Sequence, residues 1–449
     1  MAPPSARSAH SDRPRPRGTT TGRDTTVRDT LNDIVVVGAG MAGLHTAEAL
    51  RERGYEGRLT LLGEEAHRPY SRPPLSKEVL TGVGMEPAGG GPGWLVGHRA
   101  LRLREDEAVD ALDLDFRPGS RAVGLDTAAR EVSVSGPDGA ASTVRYDGLV
   151  IATGARARRP ATDLAGVYVL RTLDDAEAVR SEFDSGGRLV VVGAGFVGAE
   201  VAASARAVGM DVTLVEAAPT PLTRVVDPRI GEVLTELHRE NGVDVRLGVG
   251  VAGFEGRGRV ERVRLADGSA VEASLVVAGI GVHLNTEWLR GSGVELLADG
   301  SVACDEYSAT PVPNVYAVGD LANWPHPRYG GRIRLEHWTN AGEQGEAAAH
   351  NLLAGDGGRT PFTPVPYFWS DQYKMKVQLL GQGAPADQVA FVHGSPEDRK
   401  FVAFLGRSGM LTGVLGLRST PKTMRYRGLL EKPTTWDEAL AAAGVTPAR

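Results

Sequence analysis

The chain has 449 residues, of which 41% are hydrophobic and 24% are charged, and its net charge is −6. This is the composition of a globular protein, and the length predicts two or three domains. No apolar run approaches the ~20 residues that span a bilayer, which excludes a membrane protein. The single cysteine, Cys304, excludes an intramolecular disulfide, a CxxC redox pair and a cysteine-rich metal site. The sequence therefore predicts no metal, and electron chemistry requires a bound cofactor.

The first 30 residues differ in charge from the rest. They carry six arginines and three aspartates, hence +3, which leaves −9 for residues 31–449. Their Pro, Ser, Thr and Arg content predicts a disordered basic tail over residues 1–30. The tail lacks the apolar segment of a secretory signal, and its aspartates and prolines argue against an organelle transit peptide, so we expect a cytoplasmic protein. The acidic body disfavours a nucleic-acid partner.

An apolar, β-branched run at residues 34–37 opens the first motif. Three glycines and a helix-like segment, 44–53, follow it, which is the order strand, tight turn, helix. In a dinucleotide fold one glycine makes the turn, one lets the backbone approach a pyrophosphate, and one lets the helix pack on the strand. The glycines are Gly38, Gly40 and Gly43. The alternative is a glycine-rich turn that binds no ligand.

Two further features support a ligand at this turn. A second strand delivers Glu64 and Glu65 about 20 residues after the last glycine, where an acid should bind ribose hydroxyls. The next polar stretch, residues 68–77, contains three prolines, which predict an extended rather than a helical loop. Such a loop can direct Arg72 and Lys77 at a phosphate or at a flavin ring.

A second dinucleotide unit repeats this pattern. A strand at residues 189–192 precedes three more glycines, and Glu200 lies just inside the following helix. The next strand ends in Glu216, again at about the ribose spacing, and an acid there would repel a 2′-phosphate. NADH is therefore predicted over NADPH, although Arg224 is close enough in sequence to accept a phosphate. The glycines are Gly193, Gly195 and Gly198.

The remaining strands complete the predicted architecture. A strand that ends in Gly-Asp320 is placed back in the first domain, the alternative being an ordinary surface aspartate in a turn. The predicted fold is α/β, with two Rossmann-like dinucleotide-binding domains, the second (NAD) domain being inserted into the first, and a C-terminal α+β interface domain. The predicted bounds are 31–160 and 290–358 for the first domain, 161–289 for the NAD domain and 359–449 for the C-terminal domain.

The order of these motifs resembles that of the FAD-dependent NADH:ferredoxin reductases of bacterial oxygenase systems and, more distantly, the apoptosis-inducing-factor group. The resemblance covers residues 31–449. Two positions depart from the family: it commonly has Asp where Ser71 stands, and it has no counterpart to the glycine-rich patch at 87–93. Both lie in loops expected near the flavin entrance, so they affect the choice of partner more than the binding of cofactors. The matching segments are GAGMAG at 38–43, RPYSRPPLSK at 68–77, ATG at 152–154, VVGAGFVGAE at 191–200, VYAVGD at 315–320, EHW at 336–338 and PYFWSD at 366–371.

The resemblance implies the residues of both cofactor sites. By the same resemblance Lys77, Glu200 and Trp369 are the catalytic residues, with Trp369 covering the place where nicotinamide meets flavin. Those implied for FAD are Gly38, Ala39, Gly40, Met41, Ala42, Gly43, Glu64, Glu65, Arg72, Lys77, Ala122, Arg158, Asp320, Glu336, His337, Trp338 and Trp369. Those implied for NADH are Gly193, Ala194, Gly195, Phe196, Val197, Gly198, Glu200, Glu216, Arg224 and Gly281.

The resemblance also implies an activity: electrons pass from NADH through FAD to a ferredoxin, an iron–sulfur protein that serves an oxygenase. NADH gives up two electrons as hydride and an iron–sulfur protein accepts one at a time, whereas a flavin can do both. If Lys77 approaches the flavin N5 and pairs with a carboxylate, it would stabilise negative charge on the reduced ring. The alternative for Lys77 is a solvated loop lysine.

Two other functions share parts of this pattern. A flavin-dependent disulfide or peroxide reductase needs a reactive cysteine near the flavin, whereas Cys304 is predicted to be a buried thiol in a strand at 302–307. An NADH-sensing flavoprotein without turnover is the second alternative. Turnover with an artificial electron acceptor distinguishes it from an enzyme.

Docking of a ferredoxin requires a local basic patch, because ferredoxins are generally acidic and residues 31–449 carry −9. The alternative is that the basic side chains are scattered and solvated. The candidates are Lys374, Lys376, Arg399, Lys400, Lys422, Arg425 and Arg427 in the C-terminal domain, with Arg68 and Arg72 in the loop predicted beside the flavin.

Overall fold

The computed structural model describes residues 31–82, 101–222, 225–383 and 386–445. Three features singled out in the sequence lie outside these residues: the predicted basic tail at 1–30, the glycine-rich patch at 87–93, and Arg224. Within the described ranges, none of the helices combines the length and the apolarity needed to cross a bilayer.

The first segment of the chain begins with a buried parallel strand that enters a helix through the predicted glycine turn. Short antiparallel strands follow, and the segment ends at the ATG turn. In chain order its elements are β1 (Asp33–Val37), α1 (Met41–Glu52), β2 (Arg58–Leu62), a 3-10 helix (Pro73–Ser76), α2 (Glu78–Thr81), α3 (Asp106–Asp110), β3 (Asp115–Arg117), β4 (Arg121–Asp126), β5 (Glu131–Ser135), β6 (Ala141–Arg145), β7 (Gly148–Ile151) and β8 (Ala155–Ala157).

The second segment repeats the strand, turn and helix order. Its first long helix, α4, starts with a capping box in which Thr172 and Asp175 bond each other's backbone N–H groups. Its elements are β9 (Val167–Tyr168), α4 (Leu173–Ser185), β10 (Arg188–Val192), α5 (Phe196–Ala207), β11 (Asp211–Glu216), α6 (Pro228–Glu240), β12 (Asp244–Leu247), β13 (Val251–Glu255), β14 (Arg262–Leu265), β15 (Ala270–Glu272), β16 (Leu275–Ala278) and β17 (Val282–Leu284).

The third segment contains one long helix and then a run of antiparallel strands, each with an apolar face. Its elements are a 3-10 helix (Glu287–Leu289), β18 (Val302–Ala303), β19 (Val315–Ala317), a 3-10 helix (Gly319–Leu321), β20 (Ala322–His326), β21 (Gly331–Ile333), α7 (Trp338–Ala354), β22 (Tyr367–Gln372), β23 (Met375–Gly381), β24 (Gln388–Ser395), β25 (Lys400–Arg407), β26 (Met410–Leu417), α8 (Thr420–Arg425), a 3-10 helix (Arg427–Leu430) and α9 (Trp436–Ala442).

Two five-stranded parallel sheets carry the two glycine turns. The first has the order β19-β7-β1-β2-β3 and the second the order β12-β11-β10-β16-β9. Because β19 returns to pair with β7 after all strands of the second sheet have been traversed, the second unit is inserted into the first, which confirms the predicted α/β class. The exact domain bounds remain a prediction.

The C-terminal sheet is antiparallel, with the order β22-β23-β26-β25-β24. It packs against α6 of the second unit, because the buried side chains of Ile230, Leu234 and Leu237 share one apolar cluster with Phe368 and Phe401. The C-terminal strands are therefore fixed to the second unit by hydrophobic burial.

The expectation that prolines keep residues 68–77 extended is wrong for Pro73–Ser76. Residues Pro73–Ser76 form a 3-10 helix that begins with its prolines at the first two positions. At a helix start the missing proline N–H is not needed and its fixed φ is already suitable, so proline favours the helix there. The helical turn places Ser76 and Lys77 on the side that faces α5, where Lys77 reaches Glu200.

Candidate functional site

The first glycine turn leaves one face open for a ligand. Gly38 has φ +117°, and a Cβ built there would collide with the carbonyl oxygen of Ala152. A Cβ on Gly43 would collide with the carbonyl oxygen of Gly38, whereas one on Gly40 meets no atom within 4 Å. The outer glycines are thus required by protein contacts. The middle glycine borders free space, as a group that contacts a pyrophosphate should.

The second turn has the same arrangement. Gly193 has φ +97°, and a Cβ there would lie 2.5 Å from the carbonyl oxygen of Gly279. A Cβ on Gly198 would collide with the carbonyl oxygen of Gly193, and one on Gly195 meets nothing within 4 Å. The chain therefore presents two open glycine turns at the carboxyl ends of two parallel sheets, where ligands of such sheets bind.

The starts of the long helices fall into two groups. Helices α4 and α6 are capped by the side chains of Thr172 and Asp227. Helices α1, α5 and α7 begin at Gly40, Gly195 and His337 with no side-chain capping bond. Their first-turn N–H groups are available to an anion or a polar cofactor atom, and the helix dipole favours negative charge there.

Glu64 and Glu65 have different surroundings. Glu65 accepts hydrogen bonds from the guanidinium of Arg72 at 2.6 Å and from the hydroxyl of Tyr70. Glu64 is more exposed and lies 3.4 Å from Arg121, which is next to Ala122 on β4. Both acids were implied for FAD, but only Glu64 keeps a carboxylate that is not already held by the 68–77 loop.

Arg171 is a site residue that the sequence reasoning missed. Its guanidinium donates to Asp320 at 2.6 Å and to the carbonyl oxygen of Ala155 at 3.0 Å. Its own carbonyl oxygen accepts a hydrogen bond from Arg72 at 2.6 Å. Arg171 precedes the capping box of α4, which is a signal for the helix start but not for the direction of this side chain. It links the Gly-Asp turn of the first sheet to the 68–77 loop.

Arg158 and Gly281 were assigned to different cofactors, and the structure places them side by side. The backbone N–H of Arg158 donates to the carbonyl oxygen of Gly281 at 2.9 Å, and its Nε donates to that of Val282 at 2.9 Å. They lie at the two-stranded ladder of β8 and β17, which joins the first unit to the second. Either residue can therefore contribute to both sites.

Glu216 is part of the second glycine turn itself. Its Oε2 accepts the backbone N–H of Ala194 at 2.7 Å, and its Oε1 accepts that of Ala218 at 2.8 Å. A carboxylate oxygen has more than one lone pair, so each can still accept a ribose hydroxyl. Two side chains near this turn are exposed, Val197 at 41% and Ile280 at 42%. Large apolar groups left in water beside an open turn offer a surface for a ligand.

A buried ion pair joins the two units. Lys77 donates to Glu200 at 2.7 Å, and Glu200 is 5% exposed. The same carboxylate accepts hydrogen bonds from Ser76 and, at 2.7 Å, from Ser370 of the C-terminal sheet. The pairing of Lys77 with a carboxylate, which was a condition for its role beside the flavin, is met, and the partner is the acid that had been assigned to catalysis and to NADH. Ser76 and Ser370 lie in the matching segments 68–77 and 366–371, but neither was assigned a role from the sequence.

Aromatic rings surround Trp369. Tyr367 stacks beside it with ring centroids 5.8 Å apart, and Trp338 approaches edge-on at 6.0 Å. The ammonium of Lys376 lies 5.7 Å from the centre of the Trp369 ring. Trp338 at the start of α7 is 36% exposed. Because the two tryptophans meet across α7 and β22, the helix start and the C-terminal sheet share one partly open aromatic surface.

His337 and Glu336 precede α7 and differ in character. Burial lowers the pKa of His337 to about 4, and Asp320 opposes this shift. The imidazole is therefore neutral at pH 7. Its Nδ1 is buried and has no hydrogen-bond partner among the described residues. Glu336 instead pairs with Arg334 at 2.7 Å. An unpartnered buried nitrogen at an uncapped helix start fits a site for a polar ring.

Cys304 lies in the core, as the sequence predicted. It is 3% exposed, and burial raises the pKa of its thiol to about 12. At neutral pH such a thiol forms almost no thiolate, which is the reactive form. The structure therefore gives no support to a thiol-based disulfide or peroxide reductase.

Comparison with family models finds two matches. Residues 32–345 match the model described as pyridine nucleotide-disulphide oxidoreductase. Residues 367–449 match the model described as reductase C-terminal. The first match contains both glycine turns, and the second contains Trp369 and Ser370.

Individual proteins are similar over most of their length. Rhodocoxin reductase of Rhodococcus erythropolis is 37% identical over 412 residues, which cover 90% of this chain and 91% of that protein. The benzene 1,2-dioxygenase system ferredoxin–NAD(+) reductase subunit of Pseudomonas putida is 38% identical over 353 residues, 78% of this chain and 80% of that protein. The crystal structure of the covalent putidaredoxin reductase–putidaredoxin complex matches with a TM-score of 0.81 and 32% identity, covering 92% of this chain and 99% of that chain.

Proposed function

Because the chain belongs to the pyridine nucleotide-disulphide oxidoreductase family, we propose that it passes electrons from NADH through FAD to a ferredoxin-type iron–sulfur protein that serves an oxygenase. The observation that carries this proposal is the pair of open glycine turns whose units meet at the Lys77–Glu200 contact. Similarity to reductases of oxygenase systems supplies the class of acceptor.

FAD and NADH are the cofactors of this oxidoreductase. FAD supplies the step between two-electron transfer from NADH and one-electron transfer to an iron–sulfur centre. The residues of the first turn fit this group, since Gly40 and the uncapped start of α1 provide an open site for a pyrophosphate. Glu64 would bind the ribose hydroxyls next to it, and Asp320, which is held by Arg171, would bind the ribityl chain.

Two side chains, Lys77 and His337, would border the flavin ring. The Lys77 ammonium, held by Glu200 in a buried pair, would stabilise negative charge on that ring. His337 is neutral at pH 7 and offers one ring nitrogen that the protein itself leaves unpaired. The uncapped start of α7 places further N–H groups beside it.

The second turn binds NADH through Gly195 and the uncapped start of α5. Glu216 receives the ribose hydroxyls and repels a 2′-phosphate, so the enzyme uses NADH in preference to NADPH. Trp369, with its flanking aromatic rings, would cover the place where nicotinamide meets the flavin. A cover there would exclude water from the site of hydride transfer.

Fewer basic side chains are available to bind a ferredoxin than the sequence suggested. Several of the proposed basic residues are already paired with acids, for example Lys376 with Asp371 at 2.8 Å and Arg399 with Glu240. In the described part of the chain, four of the candidates form no ion pair: Lys374, Lys400, Lys422 and Arg425. Two of them, Lys422 and Arg425, lie together in the last turn of α8, and we place the centre of the docking surface there. The other paired candidates are Arg68, Arg72 and Arg427, with Asp110, Glu65 and Glu431.

We also propose that the enzyme works in the cytoplasm. The support is the proposed use of NADH, which is an electron donor of the cytoplasm, together with the similarity to bacterial ferredoxin–NAD(+) reductases.

A direct test uses the purified full-length chain. We expect bound FAD at one per chain, bleaching of its absorbance by NADH, and reduction of cytochrome c that depends on an added ferredoxin. Ferricyanide should be reduced without ferredoxin, at the same NADH concentration as in the cytochrome c assay. A chain that binds FAD and NADH but turns over neither acceptor would instead be an NADH sensor, and a chain without FAD would overturn the proposal.

A further inference from the structure

Strand β22 of the C-terminal sheet lies against the starts of two helices, α5 and α7. Its side chains alternate: Phe368, Ser370 and Gln372 are buried, and the residues between them are partly exposed. Helix α5 begins at the second glycine turn, and α7 begins at His337, next to the place proposed for the flavin ring. One strand therefore contacts the helix starts that serve both cofactors.

The ring of Phe368 lies between these two helix starts. Its centroid is 4.3 Å from that of Phe196, the first residue of α5, and 5.3 Å from that of His337, the residue before α7. Phe368 is 6% exposed, so both contacts are made inside the protein. Aromatic rings at separations of this order pack in contact and attract each other. Phe368 therefore sets the spacing between Phe196 and His337.

A hydrogen bond fixes the register of β22 on α5. Ser370 donates to Glu200 at 2.7 Å. Phe368 lies two residues earlier on the strand, and Phe196 lies four residues earlier on the helix. Two residues along a strand span about 6.7 Å and four along a helix about 6 Å, so the ring contact and the hydrogen bond match in spacing. The strand cannot slide along α5 without losing both contacts.

Two further contacts hold β22 to α7. The hydroxyl of Thr339 donates to the carbonyl oxygen of Tyr367 at 2.8 Å. The ring of Trp338 meets that of Trp369 edge-on, with centroids 6.0 Å apart. The strand is thus attached separately to each helix, and the two helix starts cannot move apart without disturbing it.

We propose that β22, chiefly through Phe368, holds the two helix starts so that nicotinamide meets the flavin at reacting distance. Phe368 is a positioning residue, because it acts on the site only through Phe196 and His337. This inference rests on the proposed function, in which α5 binds NADH and α7 borders the flavin. Hydride transfer needs reacting atoms about 3–3.5 Å apart, whereas most of the affinity for NADH comes from phosphate and ribose contacts at Gly195 and Glu216. Displacement of the helix starts should therefore lower the rate more than the affinity.

The first test is spectroscopic and needs no turnover. In the FAD-loaded full-length chain, reduced with dithionite, added NAD⁺ that stacks on the flavin gives a long-wavelength charge-transfer absorbance. Phe368→Leu removes the ring that separates the helix starts, which leaves a gap they can relax into. We expect this absorbance to fall about twofold or more, while FAD per chain is unchanged and the Kd for NAD⁺ stays within about twofold.

The second test measures the limiting rate at which saturating NADH bleaches the FAD absorbance, without ferredoxin. Phe368→Leu should lower this rate about tenfold or more, because a misplacement of ~1 Å can cost about 10²-fold. Phe196→Leu should also lower it. The double variant should be no slower than the slower single variant, because both changes remove the same ring contact.

Phe404→Leu is the matched control for lost core packing. Phe404 is fully buried on β25 of the same sheet and meets Tyr426 edge-on at 4.8 Å, in an apolar cluster that contains neither helix start. This variant should lose thermal stability but keep the wild-type absorbance and limiting rate.

A second pair of variants tests the strand without changing the core. Thr339→Val removes the hydrogen bond to β22 and should slow FAD reduction severalfold, and Thr339→Ser keeps the hydroxyl and should restore the rate. This pair decides the matter even where Phe368→Leu does not fold.

Four results would each overturn the inference: equal effects of Phe368→Leu and Phe404→Leu, multiplied effects in the double variant, a raised Kd with an unchanged limiting rate, or a wild-type rate in Thr339→Val. Failure of the proposed function has a different signature. Wild-type FAD that NADH does not bleach, or reduced wild-type protein that passes no electrons to a ferredoxin, would contradict that function, whereas the charge-transfer absorbance requires neither reaction.

Discussion

The first and second glycine turns share one backbone arrangement and differ in how their acids are held. In both, the outer glycines are needed by protein contacts and the middle one borders free space. In the second turn Glu216 bonds the backbone N–H of Ala194, so the acid and the turn form one unit. In the first, Glu64 stands apart from the turn while Glu65 is held by Arg72. The motif thus builds a site for phosphates, and the surroundings decide what else is recognised.

The largest expected effects come from substituting the glycines of the first turn, where Gly43→Ala and Gly40→Ala should differ. Gly43→Ala places a methyl group against the carbonyl oxygen of Gly38, which should cost about 1–3 kcal/mol or more of folding free energy. Gly40→Ala meets no protein atom and should leave the fold intact, while its methyl group takes space needed by the pyrophosphate. We expect both variants to lose FAD, but only Gly43→Ala to lower the melting temperature of the apoprotein. FAD absorbance per chain and thermal unfolding measure the two effects.

The matched change in the second turn is Gly195→Ala, which also meets no protein atom. It should keep its FAD and raise the KM for NADH about tenfold, since a displacement that costs about 1.4 kcal/mol of binding has that effect. Full flavin content in Gly40→Ala, or loss of flavin in Gly195→Ala, would show that the two turns have been assigned to the wrong cofactors.

Substitution of the acids near the turns is expected to have a smaller effect, on the preference for NADH over NADPH. Glu216→Gln removes the negative charge that excludes a 2′-phosphate and places an amide where a carboxylate accepts backbone N–H groups. The ratio of kcat/KM for NADH over NADPH should fall by about tenfold or more, because hydrogen bonds to charged groups contribute about 1.5–3 kcal/mol and each 1.4 kcal/mol is about tenfold. Glu64→Gln in the first turn is the control and should not change this ratio. Wild-type preference for NADPH would contradict the role given to Glu216.

The smallest effect concerns a region outside both turns. Arg425→Glu on α8 should slow ferredoxin reduction several-fold at low salt, and the difference should shrink once the Debye length falls below ~10 Å. Reduction of ferricyanide, which needs no docking, should not change. Arg145→Glu changes the net charge equally but lies on β6, at an 80% exposed side chain, and serves as the control. Equal slowing by both variants would remove α8 from the docking surface.

Local patterns in the sequence were sufficient for the elements that carry the phosphates. The apolar run of β1, the glycine spacing and the helix that follows each depend on residues only a few positions apart, so they are readable without the fold. The return of β19 to the first sheet was also predicted, because an apolar strand that ends in Gly-Asp resembles the strand of a flavin site. The error at residues 73–76 arose because proline has opposite effects inside a helix and at its start.

The contacts that complete the site were decided by the tertiary structure. Arg171 meets Asp320 across 149 positions, and Ser370 meets Glu200 across 170. Neither pair leaves a periodic or spacing signal, because a side chain's partner across such a distance depends on how sheets and helices pack. The sequence determined where two nucleotides can bind. Packing of α6 and the C-terminal sheet against α5 decided which charged groups face one another between them, since burial forces polar side chains to find partners wherever the fold brings them together.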